Sequence, residues 1–395
     1  MLLAPGPVSS AAGWLLEVPH AFHSRALPVQ NRGHSRAEPL WTLDRFPQGH
    51  SPLFPRSLGR ETIVVMFHGG DHTGEWELRD CPELFTSATA PKRGITRHRL
   101  FHTSAYPTIV KGVRADASTT IARPTPGWAD EEWTDTAQRL RAILLKFPQV
   151  AAGHVTAARL YGWPLPWHQP QLPTHVFSAD GNARIRVQGI RFHRTTLFTS
   201  RLFFDLPVLE PADAFISLGA DLDVDDLVRV GDAAVGNWHG PPLITLEKLT
   251  AAVVGTRRIR SRGRLLTALD LVRPTVDSPR ETDLRLWLRS VGLPEPTVHP
   301  QIFCAELSRV VEPDLGYEHA RLALEYDGDH HRTSKGQWNS DIARDEAMRQ
   351  EGWTVLRVTG RTDYRLLEAK IRRHLGLVQT PRDGTRPPGD WTNGR

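Results

Sequence analysis

The sequence predicts a mixed α/β protein, and three observations carry that class. From residue 278 to 377 the apolar spacing changes in the order helix, three strands, helix, strand, helix. Between 130 and 161, and again between 212 and 272, it keeps a helical period. Between 174 and 194, short runs such as Thr174-His175-Val176-Phe177 read as strands. The 395 residues leave room for two or three domains and a sizeable core. The expected divisions are a disordered leader over 1–80, a mainly helical block over 81–170 and an α+β middle region over 171–272. An α/β domain over 273–377 and a disordered tail over 378–395 complete the chain.

The first sixty residues hold eight prolines, and scattered His, Arg, Gly and Ser interrupt any period. Such a segment buries too little apolar surface to offset its ordering entropy. Met66 is the sole methionine between Met1 and Met348, so it is an alternative start, with ordered-looking sequence soon after it. The tail, with Pro381, Pro387 and Pro388, has the same character as the leader.

In the helical block, Gly94 to Leu100 looks like a recognition-type turn, and Ile109 to Arg114 like the wing strand that follows it. Asp130 to Phe147 is expected to be a helix, with Trp133, Ala137, Leu140, Leu144 and Leu145 on one side. Ala151 to Tyr161 reads as another, stopped by Gly162-Trp163-Pro164. These features resemble the winged-helix-like antitoxin segment of abortive-infection systems. In the middle region, Thr174–Phe177 and Arg184–Val187 read as strands of a hairpin turning at Ser178 to Asn182, with Arg191–Arg194 as a third strand. Helices follow over Ala212–Leu218, Val224–Val235, Leu246–Val254 and Arg264–Val272.

The last domain opens on Ser278-Pro279-Arg280-Glu281, a helix start with Ser as N-cap, Pro at N1 and Glu at N3. Leu284, Leu286, Trp287, Leu288 and Val291 give its apolar face, and Gly292-Leu293-Pro294 ends it. Strands are expected near Val298–Ala305, Val310–Leu315 and Arg321–Tyr326. A helix over Trp338–Gln350, a buried strand over Trp353–Val358 and a helix over Asp363–Leu375 follow.

The chemistry gathers around Pro313-Asp314 and Glu325-Tyr326-Asp327-Gly328-Asp329-His330-His331. Strand side chains repeat with period 2, so Glu325 and Asp327 share a face. A turn over Tyr317–Ala320 puts Asp314 on the antiparallel neighbour, roughly 5 Å away laterally. Carboxylates this close raise one another's pKa, and a hard divalent cation with oxygen ligands relieves the repulsion. Mg²⁺ suits one or two carboxylates together with substrate phosphate oxygens, with Mn²⁺ as the second choice.

Pro313-Asp314 followed by Glu325-x-Asp327 resembles the PD-(D/E)XK motif of the restriction-endonuclease-like superfamily. The longer pattern adds Gly328, His331, Asp341-x-x-Arg344 and Gly352-Trp353-Thr354-Val355-Leu356-Arg357-Val358. It is similar to the branch related to very-short-patch-repair endonucleases, as found in actinobacterial proteins. That resemblance implies an α-β-β-β-α-β core, metal-dependent phosphodiester cleavage and a nucleic-acid substrate, and its element order agrees with the one read from periodicity. Asp327 fills the motif's lysine position, so the positive charge that usually assists the attacking water is absent there.

Several residues carry two readings. Glu281 is either a capping-box acid or the family's helix glutamate, which reaches the metal through water. Asp327 is a third ligand, an acceptor for the nucleophilic water, or a turn residue. His331 acts in proton transfer, holds the scissile phosphate, or is an exposed loop histidine. Arg344 either pairs with Asp341 at i,i+3 or, by the family position, faces the site. The basic run Arg257, Arg258, Arg260, Arg262 and Arg264 is a solvated linker or a set of phosphate contacts beside the nuclease.

Composition narrows the classes. A net charge of +5 and a pI near 9.4 are compatible with nucleic acid. Two cysteines, Cys81 and Cys304, exclude a disulfide framework and a cysteine zinc site, which makes a reducing cytoplasm the simpler setting. No run approaches the ~20 apolar residues of a membrane helix. The expectation is a cytoplasmic Mg²⁺-dependent endonuclease acting on double-stranded DNA. The alternative is a non-enzymatic DNA-binding regulator of antitoxin type with a degenerate nuclease domain.

Overall fold

A computed structural model describes residues 76–166, 173–180, 184–195, 197–256, 259–327 and 335–377, with backbone alone for 335–341. The tail and residues 1–75 of the expected leader lie outside these. The end of that leader is corrected: Trp76 opens strand β1 (Trp76–Thr86), held by a ladder to β3 (Val113–Pro126) that pairs Trp76 with Pro126. The short strand β2 (Thr108–Val110) closes the other side of β3. A 3₁₀ turn over Ser87–Arg93 and helix α1 (Arg97–His102), capped by Thr96, share a small cluster of Phe85, Ala90, Ile95, Leu100 and Tyr106.

Helix α2 (Glu131–Leu144) starts at Asp130, whose carboxylate accepts from the Trp133 amide at 2.7 Å. Trp133, Ala137 and Leu140 are buried as spaced, but Ile143 replaces Leu145, which lies past the last turn and is exposed. The expected helix at Ala151 is shorter: Ala151–Ala152 forms β4, and α3 (His154–Leu160) begins after Gly153. Strands β5 (Thr174–Ser178), β6 (Ile190–Arg194), β7 (Ser200–Phe203) and β8 (Leu206–Leu209) join β4 in a sheet ordered β6-β5-β4-β8-β7.

The expected hairpin is absent. Strand β5 runs parallel to β6, pairing Thr174 with Ile190. Residues 184–187 alternate because Ile185 and Val187 pack on the core while Arg184 and Arg186 do not, and they form no strand. The sheet carries β4 alongside strands of the middle region, so the border expected between 170 and 171 runs through it. Helices α4 (Pro211–Leu218), α5 (Val224–Val235), α6 (Leu246–Gly255) and α7 (Arg262–Leu271) complete this body, whose single buried cluster runs from Ala129 to Leu286.

The remaining elements are α8 (Pro279–Ser290), β9 (Thr297–Val298), β10 (Ile302–Cys304), β11 (Arg309–Val311), β12 (Leu315–Tyr317), β13 (Leu322–Tyr326), α9 (Lys335–Gln350), β14 (Thr354–Val358) and α10 (Tyr364–His374). Ser278 caps α8 as the sequence predicts, accepting from the Glu281 amide. The sheet order is β14-β13-β12-β9, with β14 parallel to β13 and the other pairs antiparallel. Leu322 and Leu324 of β13 join a cluster with α8 and α10, while Ala323 joins Ala347 and Met348 of α9. Period 2 therefore assigns Glu325 to the face that α9 covers. Trp353 precedes β14 and is half-buried, and only Val358 of that strand is fully buried, because β14 lies at the sheet edge.

Helix α8 is buried on every side. Leu286 belongs to the first core, and Leu284, Trp287 and Leu288 belong to the second. Its polar residues are sunk as well. Arg285, 1% exposed, donates to Asp232 of α5 at 3.0 Å, and Asp232 is 0% exposed. The same carboxylate accepts from Thr282 Oγ1 and from the Arg273 amide, so it is fully satisfied. Arg229 of α5 binds Asp283 of α8 alongside.

Asp232→Ala removes the buried partner of Arg285, leaving Glu295 at 3.4 Å as its remaining acid, and should cost about 3–5 kcal/mol. Urea unfolding measures it; a change below about 1 kcal/mol would show that the pair is dispensable.

Candidate metal centre

Glu281 stands in the first turn of α8, 6% exposed. Its Oε1 accepts from Ser278 Oγ at 2.7 Å, and Oε2 accepts from the Asp277 amide at 3.0 Å. Glu281 Oε2 also lies 3.1 Å from His299 Nε2. Glu281 therefore ties down the helix start, as the capping reading expects, and its Oε2 also faces His299. Asp314 directly precedes β12, and its Oδ2 accepts from the Tyr326 amide at 2.6 Å across the β12–β13 pair. The His299 amide donates to the Asp314 carbonyl.

Glu281, His299 and Asp314 can each offer a ligand atom, with all three atoms within 4.8 Å of one another. His299 was not singled out by the sequence, where it is a lone histidine before Pro300. The backbone explains its placement. His299 has φ +48°, a left-handed conformation that costs about 1–2 kcal/mol in a non-glycine residue. Pro300 behind it packs against Gly316, where a Cβ would come within 2.7 Å of the proline ring. Glycine on β12 thus lets the His299-Pro300 corner lie down beside Asp314.

The other expected residues form an adjoining group. Glu325 is 7% exposed, with Oε1 3.2 Å from Arg344 Nη1, outside hydrogen-bond geometry, and Oε2 3.8 Å from Arg357 Nη2. Asp327 Oδ2 lies 3.6 Å from Arg357 Nη1. Arg344 also donates to the Glu312 carbonyl, so it turns toward the site. Arg357 faces Glu325 in the parallel ladder and binds both oxygens of Asp345. The sequence missed its role because that register is set only once β14 docks. Glu325 and Asp327 stand outside the three-residue group, and His331 lies outside the described residues.

Burial governs the charges. It pushes Asp314 up to about 6, with Glu281 adding repulsion and Arg344 and His299 opposing it. It pushes Glu325 up to about 7, against the pull of Arg344. The hydrogen bond to Glu281 raises His299 above its ordinary value, with Glu281, Asp277 and Asp314 adding attraction against desolvation. A buried acid, a half-buried acid and an imidazole, each with a ligand atom within 4.8 Å of the others, are a donor set that a divalent cation fits. Oxygen ligands suit Mg²⁺, and the imidazole nitrogen widens the choice toward Mn²⁺ and its neighbours.

The basic run is partly structural. Arg262 donates to the Thr256 and Val254 carbonyls at the end of α6, and Arg264 donates to the Leu222 carbonyl after α4. Arg260 is exposed, and Arg257 and Arg258 lie outside the described residues.

No family model and no curated protein matches the chain. The crystal structure of the Rv2827c protein from Mycobacterium tuberculosis is similar over 58% of this chain and 86% of its own, at 16% identity and a TM-score of 0.32. A score this low defines no common fold. No helix among the described residues is long and apolar enough to cross a membrane.

Asp314→Asn should keep the Tyr326 contact and remove a charge that burial disfavours. Asp314 titrates near 6 when folded and near 3.8 otherwise, so its ionisation costs stability as pH rises through that interval. The variant should melt above the wild type at about pH 8, with the gap closing toward pH 4. A lower melting temperature at about pH 8 would show that the charge is stabilising.

Proposed function

We propose that residues 278–377 form a divalent-metal-dependent phosphodiester hydrolase acting on DNA, in a cytoplasmic protein. The observation that carries this reading is the convergence of Glu281, His299 and Asp314 within 4.8 Å beside a third acid, Glu325. These three residues would hold the cation, Mg²⁺ or Mn²⁺. When bound, it supplies a Lewis acid for the phosphate and lowers the pKa of water. Glu325 Oε1 has no hydrogen-bond partner among the described residues and is pushed up to about 7, so it suits proton transfer from the attacking water. Arg344 and Arg357 bring to the site the positive charge that the motif lysine supplies elsewhere in the resembling superfamily. The helix–strand order around β14-β13-β12-β9 supports the restriction-endonuclease-like reading of this part.

One observation favours the regulator reading. Helix α1 presents Arg97, His98, Arg99 and His102 to solvent beside the β2–β3 hairpin, an arrangement suited to phosphate contacts by a winged-helix-like block. Binding there and cleavage at the acidic group are compatible, so the enzyme reading is retained.

The test is cleavage of duplex, mismatched and single-stranded DNA with Mg²⁺ or Mn²⁺. Glu281→Gln and Asp314→Asn should each lose about 100-fold or more, and a chelator should abolish the activity. Wild-type protein that binds every substrate and cleaves none would establish the regulator instead.

A further inference from the structure

A cavity of about 370 Å³ borders the same turn of α8 that carries Glu281. Its size falls within the range of small-molecule sites, roughly 300–1,000 Å³. Four rings line it: Trp128, Trp133, Trp163 and His239. Trp128 and His239 already stack, with centres 4.3 Å apart and planes at 20°. Gly162 makes this possible, since a Cβ there would meet His239 at 2.6 Å and Trp128 at 2.8 Å. Burial holds His239 below its ordinary pKa, so it is a neutral ring. Trp163 is 4% exposed, and its indole N–H has no acceptor among the described residues.

The charges around the cavity match one another. Arg159 lies 2.7 Å from Glu132, and Arg229 binds Asp283, all four being lining residues. Such a lining favours no net charge in its occupant; it favours a planar ring that stacks and offers acceptors to buried donors. Arg280 connects the cavity with the acidic group. It lines the cavity, and its Cζ lies 5.8 Å from the centre of the Tyr326 ring, whose backbone amide holds Asp314.

We infer that this cavity takes one nucleobase, with Arg280 set to meet the phosphate between that base and the Glu281–His299–Asp314 group. The inference rests on the phosphodiesterase reading of that group for the identity of the ring. The base could come from a free nucleoside or from a nucleotide extruded from a strand, and the chemistry recognised is the same.

The experiment follows tryptophan fluorescence of the full chain in chelator, so that cleavage plays no part. The probes are the four deoxynucleosides, a duplex with one mismatched pair, and the same duplex with an abasic site there. An extruded base predicts at least about tenfold tighter binding of the mismatched duplex than of the abasic one, the scale of one base–aromatic stack. A free nucleoside predicts saturable quenching by one or more deoxynucleosides. Trp128→Ala should remove whichever signal is seen, and Trp128→Phe, which keeps a ring, should restore it. Should Trp128→Ala fail to fold, Arg280→Ala should weaken the mismatched duplex by about tenfold. Equal binding of mismatched and abasic duplexes without nucleoside quenching overturns the inference, as does wild-type behaviour of Trp128→Ala. Failure here with metal-dependent cleavage intact removes the cavity's role alone. Base binding without cleavage on any substrate keeps the cavity and removes the hydrolase.

Discussion

The structure depends on one buried ion pair, Arg285 with Asp232. Helix α8 is enclosed by two apolar cores, and greasy contacts alone would leave it several rotations of similar energy. Two charges removed from water admit far fewer, because each needs its partner at hydrogen-bond distance. Asp232 meets that demand with Arg285, Thr282 and the Arg273 amide. Arg229 with Asp283 repeats the device along the same pair of helices. Fixing α8 in rotation fixes Glu281, and with it the edge of the cavity at Pro279 and Arg280. A stability device in the core thereby also positions the Glu281 carboxylate.

Burial raises Asp232 to about 6, and it acts in the same direction at the acidic group. Asp314 and Glu325 are held where burial disfavours their charge. His299 sits between acids in a left-handed backbone conformation, and its hydrogen bond to Glu281 favours its protonated form. A divalent cation held by these three residues would supply more positive charge in the same place. Unrelieved acids and backbone strain on neighbouring residues are costs that a fold retains where they serve a site. Arg344 and Arg357 moderate the second acid without occupying the first group.

What the sequence made legible follows from local physics. Ser278, Pro279 and Glu281 mark the start of α8 because capping chemistry is written in adjacent residues. Leu322 and Leu324 mark β13 because they alternate with Arg321, Ala323 and Glu325, although both faces of the strand are covered. Illegible were features set by distant partners. His299 gains meaning only when Pro300 settles on Gly316, and Arg357 only when β14 finds its register against β13. The β7–β8 hairpin was missed because Phe204 and Asp205 make its turn at positive φ without glycine or asparagine. The alternation at Arg184–Val187 misled because an irregular segment can also bury every second residue. Arginines 262 and 264 read as a solvated linker or a set of phosphate contacts, yet they donate to backbone carbonyls after helices, a use that composition does not distinguish.

The most direct test of the account is the anomalous scattering of manganese in crystals grown with Mn²⁺. The account predicts one strong peak bounded by Glu281, His299 and Asp314, absent from crystals of Glu281→Gln grown in the same way. Wild-type crystals with no peak there, or with the peak elsewhere on the chain, would contradict it.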